Sequence, residues 1–441
     1  MIARVRNGLT QFNVWMLILA TGTVAGIWAI VTGFLQGHEV TFNTSTGVPW
    51  GLLIAAYVFL VVSSTGMCLV SSLGHVFGIE RFKPLGRRAV TMAIVLLVAG
   101  FVVILSDLER PWRMVMYLFV TPNPTSAMWW MGTLYALYLI AMISELFFMS
   151  RAETASRILT GTGTVSRLHR IFLVGTRQMT EETEKRSERF ARFSGAAGVI
   201  FALAAHSTLG AVFGFIGGRT IWHGPFLPIY FILSAFVSGS AILTISLILH
   251  HRGRGRTPAP EIREVVRSLS QLLLLFLCIF LFFVIWKIIT AQYGQIPEEY
   301  DAVMLLLTGP LAVPFWLFEI GIGLLLPIAI LIFTRAQHKW ALVAVPLMVM
   351  TGMFFARYDF VIAGQLVPVV GRDVLWEYAP HWVEILTVVG AISLCLLLYT
   401  IGNRLLPLED TLSVVVPVET EAKPVTGKIA GVPREVSPGT Q

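Results

Sequence analysis

Apolar residues in this chain run in long unbroken windows and do not alternate or recur at a single-face spacing. Windows long enough to span a bilayer, which takes about 17–25 residues in a helix, fall at roughly 12–34, 50–77, 88–106, 127–149, 194–217, 225–249, 269–291, 305–333, 340–365 and 379–402. That pattern predicts an all-α polytopic membrane protein with about ten transmembrane helices, counted here as helices 1 to 10. The first window is too long for a signal peptide's apolar core and has no small-x-small site followed by a soluble region, so it reads as a retained helix. Residues 406–441 mix Pro, Val, Thr and Glu without a spanning pattern. They read as a flexible cytoplasmic C-terminal tail behind a membrane domain of residues 1–405.

The polar breaks set the orientation. Arg4 and Arg6 precede helix 1, and Arg81, Lys83, Arg87 and Arg88 lie between helices 2 and 3. The 151–193 loop, the longest hydrophilic insert, carries nine basic residues from Arg151 to Arg192; Arg252, Arg254 and Arg256 follow helix 6, and Arg335 and Lys339 follow helix 8. Every second loop is basic, which predicts that both termini and the 151–193 loop are cytoplasmic. With 13% charged and 56% hydrophobic residues, the formal charge of +7 is a matter of topology and anionic lipid, not of nucleic acid. Cys68, Cys278 and Cys395 lie singly in three different windows. They offer no iron–sulfur or zinc spacing, so no metal site is expected, and they read as small buried thiols.

Against that apolar background the ionisable residues inside or beside the windows stand out. Four of them, Asp107, Glu109, Arg110 and Arg113, crowd the stretch Leu105–Arg113 at the outer end of helix 3. If the helix continues, Asp107 and Arg110 stand three apart on one face, each holding the other charged, while Glu109 points elsewhere. His206, Glu319, Arg357, Asp359 and Glu384 come from four further helices. An ionised side chain at depth costs at least ~2.5–3.5 kcal/mol, so each needs a partner or a water-filled cavity. Structural ion pairs locking the bundle are the competing reading. By position Tyr57, Asp107, Arg110, Arg357 and Glu384 fall in the outer half, His206 and Glu319 near the centre, and His75 and Glu145 toward the cytoplasm. Helix 8 is expected to hold Pro310, Pro314 and Pro327, which free carbonyls and kink it around Glu319.

A polar pocket near the outer face suits a quinone headgroup, whose two carbonyls each need a hydrogen bond or a proton. When a quinol is oxidised two protons leave, and a carboxylate or imidazole beside the ring accepts them. Asp107 is the first choice as proton partner, with Arg110 tuning its charge. His206 and Tyr57 would hold the other carbonyl, Arg357 and Glu384 would complete the pocket, and Glu319, Glu145 and His75 would form a proton path inward. A bound haem needs two axial histidines at similar depth on facing helices. Only His206 lies near mid-membrane, so no haem is expected.

Several short pieces together resemble the NrfD/PsrC (polysulfide reductase membrane subunit) superfamily. They are Pro49-Trp-Gly51 at the start of helix 2, Asp107-Leu-Glu-Arg-Pro111, His206-Ser-Thr-Leu-Gly210 and Pro225-Phe-Leu-Pro-Ile-Tyr230. Ser234-Ala235 and Gly364-Gln365 complete the set. The ten-helix arrangement is most similar to the HybB/DsrP-like branch, and the likeness covers about residues 45–405. It implies two four-helix bundles plus flanking helices, without a redox metal in this chain. It further implies electron exchange between menaquinone or ubiquinone and a ferredoxin-like iron–sulfur subunit, and through that a catalytic or multihaem subunit. The setting would be the cytoplasmic (inner) membrane of a bacterium or archaeon, with the quinone near Asp107 and proton translocation as a coupled step. Where some eight-helix members carry Asn and His on the first bundle helix, this chain has Ile54 and Tyr57. Two rivals remain: an ion or proton transporter, which would show broken helices at matching positions of two halves, and a pure membrane anchor.

Overall fold

The computed structural model describes residues 2–159, 172, 180–223, 226–253, 260–369 and 375–406. The expected tail beyond 406, the middle of the 151–193 insert and Pro225 lie outside these residues. Among them ten helices are long and apolar enough to cross a membrane. They are α1 (Ile2–Gln36), α2 (Leu52–His75), α3 (Gly86–Asp107), α4 (Ala127–Leu159) and α5 (Glu181–Gly214). The rest are α6 (Phe226–Gly253), α7 (Pro260–Gly294), α8 (Pro314–Thr334), α9 (Ala341–Leu366) and α10 (Trp382–Leu405). The protein is an all-α polytopic membrane protein, with one helix per expected window.

Helices α2 to α5 close one four-helix bundle and α6 to α9 a second; α1 and α10 pair with each other, and α10 lies against α3. Helix α2 is the hub, touching α3, α5, α6, α9 and α10, and its whole apolar window is buried. In a membrane, packing replaces the hydrophobic effect between helices, and small residues permit it. Gly66 of α2 and Gly239 of α6 cross so closely that a side chain on either would overlap the other helix's backbone. The seam between the bundles runs through that crossing.

Helices α2, α4, α6, α8 and α10 start at one face of the molecule, the Trp50 face; the other five start at the opposite, Arg88 face. At the Trp50 face, Trp50 stacks on Trp222 with ring centroids 5.5 Å apart, and Trp222 donates its indole N–H to the Phe360 carbonyl at 2.8 Å. Arg219, on the α5–α6 link, donates to the carbonyls of Gln365 (3.0 Å), Val367 (2.6 Å) and Gly47 (3.1 Å), tying three loops together. At the Arg88 face the bundles are bridged by Arg81, 3.2 Å from Glu264 and 2.9 Å from the Ser268 hydroxyl of α7.

The structure corrects helix 8. The expected 305–333 run is a short helix, Pro297–Leu307, then a turn holding Pro310, then α8. Residues Pro314–Leu325 of α8 are π-helical and Leu326–Thr334 α-helical. Pro327 has no N–H to offer the carbonyl of Gly323, which accounts for a wider turn just before it. Because α8 starts later than expected, Glu319 lies in its second turn, near the Trp50 face and away from the centre of the span.

Candidate functional site

Asp107 is the last residue of α3. Leu108 is extended (φ −83°, ψ 124°), Arg110 has φ −132° and ψ 70°, and Pro111 opens a new helix, Pro111–Phe119. The helix expected to carry Asp107 and Arg110 on one face is therefore broken between them. The residue before a proline is pushed out of the α region, and Arg110 is that residue. Arg110 and Glu109 are exposed, Asp107 is half-buried, and no ion pair joins Asp107 to Arg110 among the described residues. The Asp107 carboxyl instead comes within electrostatic reach of Glu384. Its backbone carbonyl lies against the imidazole of His38, whose ring also feels Glu109.

Glu384 is buried in the first turn of α10 and both its oxygens are engaged. Oε1 accepts from the Tyr378 hydroxyl at 2.6 Å, and Oε2 from the His381 N–H at 2.8 Å, closing a capping box at the start of α10. The same Tyr378 oxygen accepts the Leu52 N–H at 2.6 Å. One phenol thus joins the first residue of α2 to an acid of α10. Burial, and then the Glu384 charge, push the Tyr378 phenol well above its ordinary range.

A second group fills the interior toward the Trp50 face and crosses the seam. His206 of α5 is wholly buried, with Nδ1 3.3 Å from the Tyr135 hydroxyl and Nε2 without a partner among the described residues. Tyr57 is buried, its hydroxyl 4.0 Å from the Met131 sulfur and within electrostatic reach of Tyr135. Arg357 of α9 bonds the Ser234 hydroxyl of α6 and lies over the rings of Phe231 (4.6 Å) and Tyr230 (5.8 Å). His206, Tyr135 and Glu319 are within its field.

Beyond Arg357, inside the second bundle, the Glu319 and Asp359 carboxyls face each other, 5% and 1% exposed. They line a cavity of about 30 Å³ with Lys287 and Tyr230, and neither Asp359 oxygen receives a protein donor among the described residues. That is room enough for a water molecule. Ionised carboxylates only accept, so two of them facing each other need a cation, a water or a shared proton between them. Lys287 supplies charge from the cavity wall.

Glu145 lies elsewhere. It is buried on α4 against Gly195 of α5, with Cys68 and Tyr138 nearby, and Tyr138 shares hydrogen bonds with the Ser64 hydroxyl (3.1 Å) and carbonyl (3.0 Å). His75 sits at the Arg88 face against Gly86, near Arg87 and Lys83. The nominated residues therefore form separate groups. Asp107 goes with Glu384; His206, Tyr57, Arg357 and Glu319 go together; Glu145 and His75 stand apart.

Five participants are not evident from the sequence: His38, Tyr135, Lys287, Tyr230 and Tyr378. Lys287 carries a usable signal, a basic residue inside the seventh window. Tyr230 closes the Pro225–Tyr230 piece that carries the family resemblance; Tyr135, Tyr378 and His38 carry no such signal and acquire meaning only through their neighbours.

Fold and buried polar groups define a ten-span membrane protein with ionisable chemistry concentrated toward one face. The chain belongs to the NrfD family: the family model described as polysulphide reductase, NrfD, matches residues 40–369. That range takes in the two four-helix bundles and leaves out all of α1 and α10. The chain is similar to a selenate reductase subunit of Mesobacillus selenatarsenatis, 28% identical over 409 residues, covering 90% of this chain and 94% of the relative. It is also similar to the Hdr-like menaquinol oxidoreductase integral membrane subunit of Archaeoglobus fulgidus, 24% identical over 425 residues, covering 92% and 95%.

Proposed function

We propose that this protein is the quinone-reactive membrane subunit of a respiratory oxidoreductase complex. It exchanges electrons between menaquinone or ubiquinone and a peripheral ferredoxin-like iron–sulfur subunit, which passes them to or from a catalytic or multihaem subunit. The observation that carries the reading is Asp107. It is a half-buried carboxyl at a helix end on the Trp50 face, with another acid as its neighbour and no cation paired to it among the described residues. Such a group is suited to exchange a proton and ill suited to hold the fold together. Membership of the NrfD family supports the reading. So do the relatives' names, one a menaquinol oxidoreductase membrane subunit and the other a reductase subunit.

In this reading the Trp50 face is the outer face of a cytoplasmic membrane, both termini are cytoplasmic, and residues 406–441 form a cytoplasmic tail behind the 1–405 membrane domain. Asp107 takes the proton released from a quinol oxygen as electrons leave for the iron–sulfur partner. Tyr57 and His206 hold the headgroup from the α2 and α5 side, and Arg357 sets the local field. Glu384 positions the α2 start through Tyr378. Glu319, with Asp359 and Lys287, and further in Glu145 and His75, provide proton-exchanging groups for a coupled transfer.

Asp107→Asn in the intact complex tests the reading. Quinol-linked electron transfer is expected to be lost while the complex still assembles and the partner's clusters are still reduced by an artificial donor. Retained quinol turnover in that variant sinks the assignment.

A further inference from the structure

Only Leu108, Glu109 and Arg110 separate the end of α3 from the short helix Pro111–Phe119 at the Trp50 face. Proline opens that helix with its φ already helical and no N–H to satisfy. At about 100° per residue its side chains sort into three sectors. Met114 and Leu118 are half-buried and face the protein. Trp112, Val115, Met116 and Phe119, at the i, i+3, i+4, i+7 spacing of one face, are all exposed. Arg113 and Tyr117, one turn apart and also exposed, form a polar edge between the two.

Contacts with α4 hold the short helix in place. The Trp129 indole donates to the Leu118 carbonyl at 3.1 Å, and the Leu118 side chain lies over Gly132, where an added Cβ would come within 3.2 Å of it. The return loop is tied as well. Its Asn123 side chain accepts from the Thr125 N–H at 3.2 Å and hydroxyl at 2.6 Å, and the Trp130 indole donates to the Pro124 carbonyl at 2.8 Å. About three turns of helix separate Gly132 from Ile143, so both look out of the same side of α4. There Ile143 is 52% exposed and Ile140 63%, deep within the span Ala127–Ala155, where the surrounding medium is lipid. The short helix therefore sits at the head of a side of α4 that lipid covers lower down.

Its nine residues are too few to span, which takes about 17–25. Its exposed apolar face carries no charge, and the one charged side chain lies on the polar edge. We propose that Pro111–Phe119 is a membrane-surface helix whose partner is the phospholipid bilayer. Trp112, Val115, Met116 and Phe119 enter the acyl boundary, while Arg113 and Tyr117 lie among the headgroups. Tryptophan and tyrosine favour that boundary, and an arginine there keeps its guanidinium in the headgroup layer with its stem along apolar surface. The exposed Trp130 of α4 belongs to the same belt. Held in this way, the helix sets the end of α3, and Asp107 with it, close to the headgroup layer. The placement is independent of what Asp107 binds.

The test has two arms. In the first, the full-length protein is reconstituted in phosphatidylcholine vesicles and spin-labelled at one cysteine at a time, with the exposed Cys278 removed as Cys278→Ser. Labels on Met116→Cys and Phe119→Cys are expected to collide more with dissolved oxygen than with a water-soluble nickel chelate, and labels on Arg113→Cys and Tyr117→Cys the reverse. Nickel-dominated collision at all four positions puts the helix in water and overturns the proposal; oxygen-dominated collision at all four overturns the headgroup placement of the polar edge. Each substituted side chain is exposed, so folding is not at stake. In the second arm a photoreactive benzoylphenylalanine replaces Met116 or Phe119 in the intact complex, which is irradiated in its native membrane. The chain is expected to gain the mass of a phospholipid. A cross-link to a second polypeptide, or no lipid adduct at either position, overturns the proposal.

Discussion

The side-chain amide of Gln365 pairs with both backbone groups of Trp50, accepting the N–H at 2.9 Å and donating to the carbonyl at 2.8 Å. A side chain near the end of α9 thus imitates a strand neighbour for the residue that leads into α2, and it does so across the seam between the bundles. Gln365→Leu keeps the volume and removes both bonds. Each backbone group left without a partner costs roughly 1–3 kcal/mol. Thermal unfolding of the purified protein in detergent should show a clear fall in midpoint, and an unchanged midpoint would mean that water replaces the amide.

Arg110 is exposed and lies beyond the end of α3, out of helical register with Asp107. Arg110→Ala is therefore expected to keep quinol-linked turnover within about fivefold, since an exposed charge contributes ~0–1 kcal/mol at most. Turnover assays on Arg110→Ala and Asp107→Asn in parallel check this. Equal losses in the two would mean that the acid and the arginine work as a pair after all.

Tyr378 and Glu384 act as one unit because the phenol both donates to Glu384 and accepts from Leu52. Tyr378→Phe and Glu384→Gln are each expected to cost about 1–3 kcal/mol, by leaving a buried group unsatisfied. The double variant should cost clearly less than the sum, as coupled neighbours do. A double-mutant cycle on unfolding measures it, and strict additivity would separate the two residues.

Lys287 is a cation on the wall of the cavity that Glu319 and Asp359 line, within electrostatic reach of Glu319. Lys287→Met removes that charge from beside the buried acids and is expected to lower the unfolding midpoint clearly, since a buried carboxylate needs a compensating charge or a proton. Asp359→Asn replaces one acceptor-only group by one that donates to Glu319, and should cost much less. Comparing unfolding midpoints of the two variants decides it; a milder Lys287→Met would show that the acids are neutral without the ammonium.

The spans are legible in the sequence because lipid demands an uninterrupted apolar run, and no other force writes so long a signal. The start of α8 is not, since the turn after Leu307 is itself apolar and hydropathy does not register a turn that stays dry. At Asp107 the local chemistry does carry the answer: Pro111 directly follows Arg110 and forbids helical register through it. The candidate residues are legible as a list of acids and bases, but the depth of Glu319 is not, because it depends on where α8 starts. Their pairings are not legible either. Glu384 serves as a cap because of where Tyr378 folds over it, and His38 reaches the Asp107 carbonyl because Gly37 turns the link at a φ of 86°. Neither contact leaves a trace in local pattern.

The seam between the bundles has fastenings of two kinds. Near the Trp50 face it is closed by tryptophan stacking and by amide and guanidinium bonds to backbone carbonyls; at the other face Arg81 and Glu264 meet with about half of each side chain or more in solvent. Dissolved ions screen exposed charges beyond about 8 Å at physiological strength and weaken such a pair further as salt rises, but they do not reach the stacked and hydrogen-bonded end. The seam has a dry end and a wet end, so salt acts on it from one direction only.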